Sequence, residues 1–134
     1  MNVRENEKNK SSVVRSKSIL VIDDSAIQLR NMRSWLGKKY AVSLAISGEQ
    51  GIEIAVRENP GLIILDYEMP DYNGREVLEK IRSIDSIKDT PVIFVNSVGD
   101  KKHIQKVIKL NPAGYFLKPI ELNKLMDAVD KILR

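Results

Sequence analysis

Leu62–Leu65 reads LIIL, four apolar residues preceded by the break Asn59-Pro60-Gly61 and followed at once by an acid, Asp66. A strand with one face in water alternates apolar and polar side chains. An unbroken apolar run of this length between turn residues is instead a strand covered on both faces. Similar runs recur along the chain: Ser18–Ile22 ends at Asp23-Asp24, Pro91–Val95 at Asn96-Ser97, and Ala113–Leu117 at Lys118-Pro119, with Tyr40–Ala45 as a further strand. Amphipathic stretches lie between them. Ser25–Leu36 carries Ile27, Met32, Trp35 and Leu36 at helical spacing with Gly37 as a stop; Gly48–Arg57 places Ile52, Ala55 and Val56 on one side. Further helices are predicted over Gly74–Ser83, Lys101–Leu110 and Glu121–Leu133. Strands alternating with helices make βαβ units, and right-handed crossovers leave few topologies for five of them. The prediction is an α/β, doubly wound parallel sheet with helices on both faces, a three-layer αβα arrangement.

A length of 134 residues suits one domain with a core that needs no staples. There is no cysteine, which excludes disulfides, zinc-thiolate sites and thiol catalysis. No apolar run approaches the length that crosses a bilayer, and Met1–Lys17 is polar without a signal-type apolar stretch, so a cytoplasmic location and no membrane partner are expected. Most of the net charge of +4 falls in that segment, where Arg4, Lys8, Lys10, Arg15 and Lys17 face only Glu5 and Glu7. A weakly basic segment of this kind reads as a solvated extension, and no direct nucleic-acid contact is expected. The division expected is a polar, flexible tail over 1–16 and one domain over 17–134, ending with its fifth helix and leaving no room for a second.

In an open parallel sheet, ligands bind beyond the carboxyl ends of the strands. Four of the five runs deliver polar or charged residues to that edge: Asp23-Asp24, Asp66, Asn96-Ser97 and Lys118. Three carboxylates brought close together repel one another and raise at least one pKa. A hard divalent cation with oxygen ligands, Mg²⁺ above all, removes the conflict. Asp66 is then a carboxylate nucleophile toward a phosphoryl donor, forming an acyl phosphate, with the Lys118 ammonium offsetting charge on the phosphoryl oxygens. Each part has a plainer reading: Asp24 or Ser25 as a helix N-cap, Lys118-Pro119 as a turn. Taken singly those readings are better, but together they leave the gathering of polar residues at one edge unexplained.

The segments VIDDS, ILDYEMPDYNG, PVIFVNS and GYFLKP resemble the receiver domain of two-component response regulators, the stand-alone chemotaxis regulators included, over about Lys17–Arg134. The resemblance implies a flavodoxin-like five-stranded sheet of order 2-1-3-4-5. Asp66 would be the phosphoacceptor, Asp24 a direct ligand of Mg²⁺ (or Mn²⁺), Asp23 the second acid acting through water, and Glu68 a ligand through its backbone carbonyl. Lys118 would contact the phosphoryl group, Pro119 would shape the turn after it, and Tyr115 would be the aromatic whose rotamer follows activation. The partners implied are a sensor histidine kinase or phosphotransfer protein upstream. Downstream, a target protein would bind the face built from the fourth helix, fifth strand and fifth helix, with the chain a monomer or a phosphorylation-dependent dimer. Such a domain is a signalling phosphoacceptor rather than an enzyme in the ordinary sense.

One position departs from the family pattern. Asn96 stands where a Thr or Ser hydroxyl is usual, and the next residue, Ser97, carries a hydroxyl where a small residue is usual. Asn96 can donate an N–H to a phosphoryl oxygen, but it is longer than the hydroxyl it replaces. Two competing functions follow for the chain. A degenerate receiver acting as a constitutive scaffold is favoured by Asn96 alone. A phosphatase of the haloacid-dehalogenase type would want Asp-x-Asp after its first strand, whereas here Glu68 follows Asp66 on the third. His103, among Lys101, Lys102, Lys106 and Lys109, reads as a solvated helix position; Trp35 reads as packing, and the orientation of the Glu68 side chain stays open.

Overall fold

In a computed structural model of the chain, residues 17–69, 73–97 and 101–134 are described, the backbone alone for 101–103. The expected tail, residues 70–72 of the loop after Asp66, residues 98–100 and the side chains of Lys101, Lys102 and His103 lie outside the described residues.

Each apolar run is a strand: β1 Ser18–Ile22, β2 Ala41–Ala45, β3 Leu62–Asp66, β4 Val92–Asn96 and β5 Gly114–Leu117. The helices are α1 Ala26–Leu36, α2 Gly48–Glu58, α3 Gly74–Ser83, α4 Lys101–Ile108 and α5 Leu122–Leu133. All neighbouring strands pair in parallel, in the order β2-β1-β3-β4-β5. The boundaries differ from the sequence expectation by a residue or two. The difference at β4 matters, because Asn96 is the last residue of the strand and fully buried.

The unbroken apolar runs exist because the sheet has a core on each side. Leu20, Ile22, Ile63, Leu65, Val92 and Phe94 pack toward α2, α3 and α4 through Ile54, Ala55, Val77, Leu78, Ile81 and Val107. The alternate residues Ile19, Val21, Leu62, Ile64, Ile93 and Val95 meet Leu29, Met32 and Leu36 of α1 and Leu125, Val129 and Leu133 of α5. Trp35 packs against this second cluster, as expected. Two expectations fail. Ile27 is 68% exposed and Val56 is 47% exposed, so neither belongs to the core face of its helix. The buried stripe of α1 runs through Leu29, Met32 and Leu36, and that of α2 through Ile54 and Ala55 with Gly51.

Local signals set the helix ends. Ser25, not Asp24, caps α1, its side chain accepting from the Gln28 amide at 3.3 Å. Asn59 closes α2 in the left-handed conformation (φ 48°), which Asn tolerates because its short polar side chain bonds locally. Asn73 and Glu76 form a reciprocal capping box at the start of α3. Gly74 must be glycine there: an added Cβ would lie 2.6 Å from Phe94 Cε1 and 2.8 Å from the Tyr67 Cα. That close approach seats α3 beside the loop leaving Asp66. Among the described residues, no helix is long and apolar enough to cross a membrane.

Ahead of β2, Tyr40 and Lys39 both donate hydrogen bonds to Asp130 Oδ1, tying the α1–β2 turn to α5. Burial, then the bond to the Asp130 carboxylate, raises the Tyr40 hydroxyl from its ordinary 10 to about 12. The same bond, followed by that from Lys39, holds Asp130 below its ordinary value. The Tyr40 contribution is therefore complete below pH 10 and is lost as pH rises toward 12. The Asp130 contribution is present above the ordinary carboxylate range and is lost as pH falls through it. Tyr40→Phe should cost about 1 kcal/mol in urea denaturation at pH 7. The gap between variant and wild type should narrow as pH rises from 10 toward 12 and again as pH falls below 4.

Candidate functional site

The site forms because β1, β3, β4 and β5 end together at one edge of the sheet, each with an apolar interior that cannot shift along its neighbours. Asp66 is the last residue of β3 and lies opposite Val95 of β4. Asp23 follows β1 and stays in the sheet through its N–H bond to the Ala45 carbonyl at 3.0 Å. Lys118 follows β5, its N–H bonded to the Asn96 carbonyl at 2.8 Å, and its peptide bond to Pro119 is cis.

Carboxylate oxygens of Asp23, Asp24 and Asp66 all lie within 4.8 Å of one another. Asp23 and Asp66 are 6% and 5% exposed, whereas Asp24 opens to solvent. The Lys118 ammonium sits 3.6 Å from Asp66 Oδ1 and 3.8 Å from Asp23 Oδ2, so it serves both buried acids and not Asp66 alone. One lysine between two acids leaves uncompensated negative charge. Burial is the chief reason that the Asp66 carboxyl rises to about 7; the Asp23 charge adds to this, while Lys118 and the Glu68 N–H oppose it. Asp23 is also raised, first by burial, against the lowering effect of the Ser25 N–H bond at 2.9 Å. The repulsion expected from the sequence is thus present. The donor set is all oxygen, which suits a hard divalent cation and not a thiophilic metal.

The neighbouring residues join the site through bonds that the sequence does not reveal. The Glu68 N–H points to Asp66 Oδ1 at 3.3 Å. The Glu68 side chain, whose direction was open, accepts a hydrogen bond from the Ser97 hydroxyl at 2.8 Å. Asn96 donates through Nδ2 to the Tyr115 hydroxyl at 2.9 Å, linking the end of β4 to β5. Tyr67, Phe94 and Tyr115 form a row of rings, with centroids 5.8 and 6.5 Å apart. Among the described residues no second acid or histidine group is arranged to hold a metal ion.

The response regulator receiver domain model matches residues 19–130. The chain belongs to the response regulator receiver domain family. Among curated relatives of this receiver domain, sporulation initiation phosphotransferase F of Bacillus subtilis is 29% identical over 119 residues, covering 88% of this chain and 94% of that protein. Chemotaxis protein CheY of Halobacterium salinarum is 27% identical over 119 residues, covering 88% and 98%. A receiver domain structure from Clostridium thermocellum superposes with a TM-score of 0.80 at 27% identity, covering 87% of this chain and 93% of that one. The Vibrio cholerae chemotaxis protein CheY4 gives the same TM-score at 22% identity, covering 86% and 97%, a likeness of fold. The flavodoxin-like architecture and its strand order are those expected.

Two like-charged acids buried beside a single lysine destabilise the receiver domain when no cation is bound. Asp66→Asn removes one charge with little change of shape. In a chelating buffer at pH 7.5 it should raise unfolding stability by about 1–2 kcal/mol, read as a higher denaturant midpoint at unchanged slope.

Proposed function

We propose that Asp66 is the phosphoacceptor of a two-component phosphorelay, and that its phosphorylation alters protein binding. The supporting observation is the meeting of three carboxylates with the Lys118 ammonium 3.6 Å from Asp66 Oδ1. An Asp66 oxygen attacks the phosphorus of a phosphohistidine on a sensor kinase or phosphotransfer protein. The P–O bond forms as the P–N bond breaks, and the departing imidazole nitrogen keeps the electron pair and takes up a proton. Lys118 meets the oxygens of the incoming group. Asp23, Asp24, Asp66 and the Glu68 backbone carbonyl would hold Mg²⁺, or Mn²⁺ in its place. Bound there, the cation offsets charge on the carboxylates and on the transferring group. The domain acts on itself only, through its own phosphorylation and a slow self-dephosphorylation, and the cytoplasm is the compartment that suits this exchange.

The output surface is assigned to α4, β5 and α5. Ile108 on α4 and Leu117 on β5 are 58% and 49% exposed, apolar surface suited to a target protein or a second copy. Incubation with acetyl phosphate and Mg²⁺ followed by intact-mass measurement should show a gain of one phosphoryl group. The gain should vanish on chelation and in Asp66→Asn; its absence from wild type would transfer the assignment to a constitutive binding scaffold.

That second reading has one observation in its favour: the Asn96 amide donates to the Tyr115 hydroxyl and ties the two residues together. We place Asn96 and Tyr115 in the switch, with coupling weaker than a hydroxyl would give. On addition of beryllofluoride, the Tyr115 ring resonances should move less in wild type than in Asn96→Thr, and the two proteins should differ in phosphoryl lifetime. Identical behaviour would remove the altered coupling while leaving the phosphoacceptor assignment intact.

A further inference from the structure

The bond between Ser97 and Glu68 joins the ends of two strands beside the phosphoacceptor, and the reaction as described makes no use of it. Glu68 is held at two points. Its N–H is directed to Asp66 Oδ1 at 3.3 Å, and its carboxylate accepts from the Ser97 hydroxyl at 2.8 Å. Ser97 in turn has a firm base: it follows Asn96, which is fully buried and whose carbonyl accepts the Lys118 N–H at 2.8 Å. On the other side, the Tyr67 N–H bonds the Val95 carbonyl at 2.9 Å and the Tyr67 carbonyl accepts the Gly74 N–H at 2.8 Å. The peptide groups around Glu68 therefore leave the sheet at a fixed place, and the side-chain bond to Ser97 restrains the residue where that support ends.

A residue tethered by both its amide and its side chain holds its Cα in place, and with it the point from which its own carbonyl departs. We propose that Ser97 is a positioning residue for the cation site, acting through Glu68 to hold in place the backbone that would offer its carbonyl to a cation beside Asp23, Asp24 and Asp66. This rests on the reading that a divalent cation binds there. Groups that orient a ligand without touching the metal commonly change affinity by 10–100-fold. The Ser97 bond acts on the side chain rather than on the ligating carbonyl, so a smaller loss is expected, about 3- to 10-fold. Glu68 and Ser97 are both exposed, so substitutions at either leave the core untouched.

The test is a Mn²⁺ titration of the full chain by calorimetry, with no phosphodonor present, in wild type, Ser97→Ala, Ser97→Thr, Glu68→Ala and the Ser97→Ala/Glu68→Ala pair. Ser97→Ala should weaken binding about 3- to 10-fold, and Ser97→Thr, which restores the hydroxyl, should return it to within twofold of wild type. In the Glu68→Ala background Ser97→Ala should have no further effect, because its partner is gone. Unchanged affinity in Ser97→Ala, an equal loss in Ser97→Thr, or the same loss in the Glu68→Ala background would each overturn the proposal. A wild-type protein that fails to bind Mn²⁺, or binds it equally well after Asp24→Asn, would instead overturn the cation reading on which it rests.

Discussion

Two carboxyl groups, those of Asp23 and Asp66, are nearly excluded from water within reach of one ammonium group. Their proximity follows from β1 and β3 pairing in parallel and ending level with each other, so neither acid can withdraw without disturbing a strand buried on both faces. Charge is thereby held in an unfavourable place by hydrophobic packing. The raised Asp66 and Asp23 carboxyls register that conflict, as does the position of Lys118 between them. Such a site gains from any cation that enters.

The layers divide the labour. The α1 and α5 side of the sheet is closed by aliphatic packing and by the polar tie from Tyr40 and Lys39 to Asp130, and it carries no part of the chemistry described. The α2, α3 and α4 side includes the row of Tyr67, Phe94 and Tyr115, which begins one residue after Asp66 and ends at the partly exposed β5. Gly74 allows α3 to start directly against that row. Asn96 touches both systems, accepting from Lys118 through its backbone and donating to Tyr115 through its amide. Its buried side chain thus links the acid-bearing edge of the sheet to β5.

Much of this was legible in the sequence because two-sided burial leaves a plain mark: LIIL, ILVI and PVIFV contain no polar residue that would permit another placement. The polar residues that follow those runs were legible for the same reason, since a parallel sheet brings its carboxyl ends to one edge. Ile27 and Val56 were misplaced because helical spacing identifies a stripe without saying which apolar residues fall outside it, and an isolated apolar side chain in water leaves no sequence signal. The Ser97–Glu68 and Asn96–Tyr115 bonds were not legible. Their partners stand 29 and 19 positions apart, and each bond depends on a rotamer. Resemblance marked Asn96 as unusual, but the geometry supplied its partner.

The two-sided burial of β3 has a further consequence for how such a chain can diverge. Every residue from Leu62 to Asp66 is buried, so each answers to a helical layer or to the acid cluster. A substitution in the strand must be matched by another in whichever layer it faces, which makes the strand slow to drift. The side chains of Glu68 and Ser97 are exposed and bond each other, outside both helical layers. Side chains at these loop tips can therefore change without repacking either layer, while the scaffold that delivers the acids stays as it is.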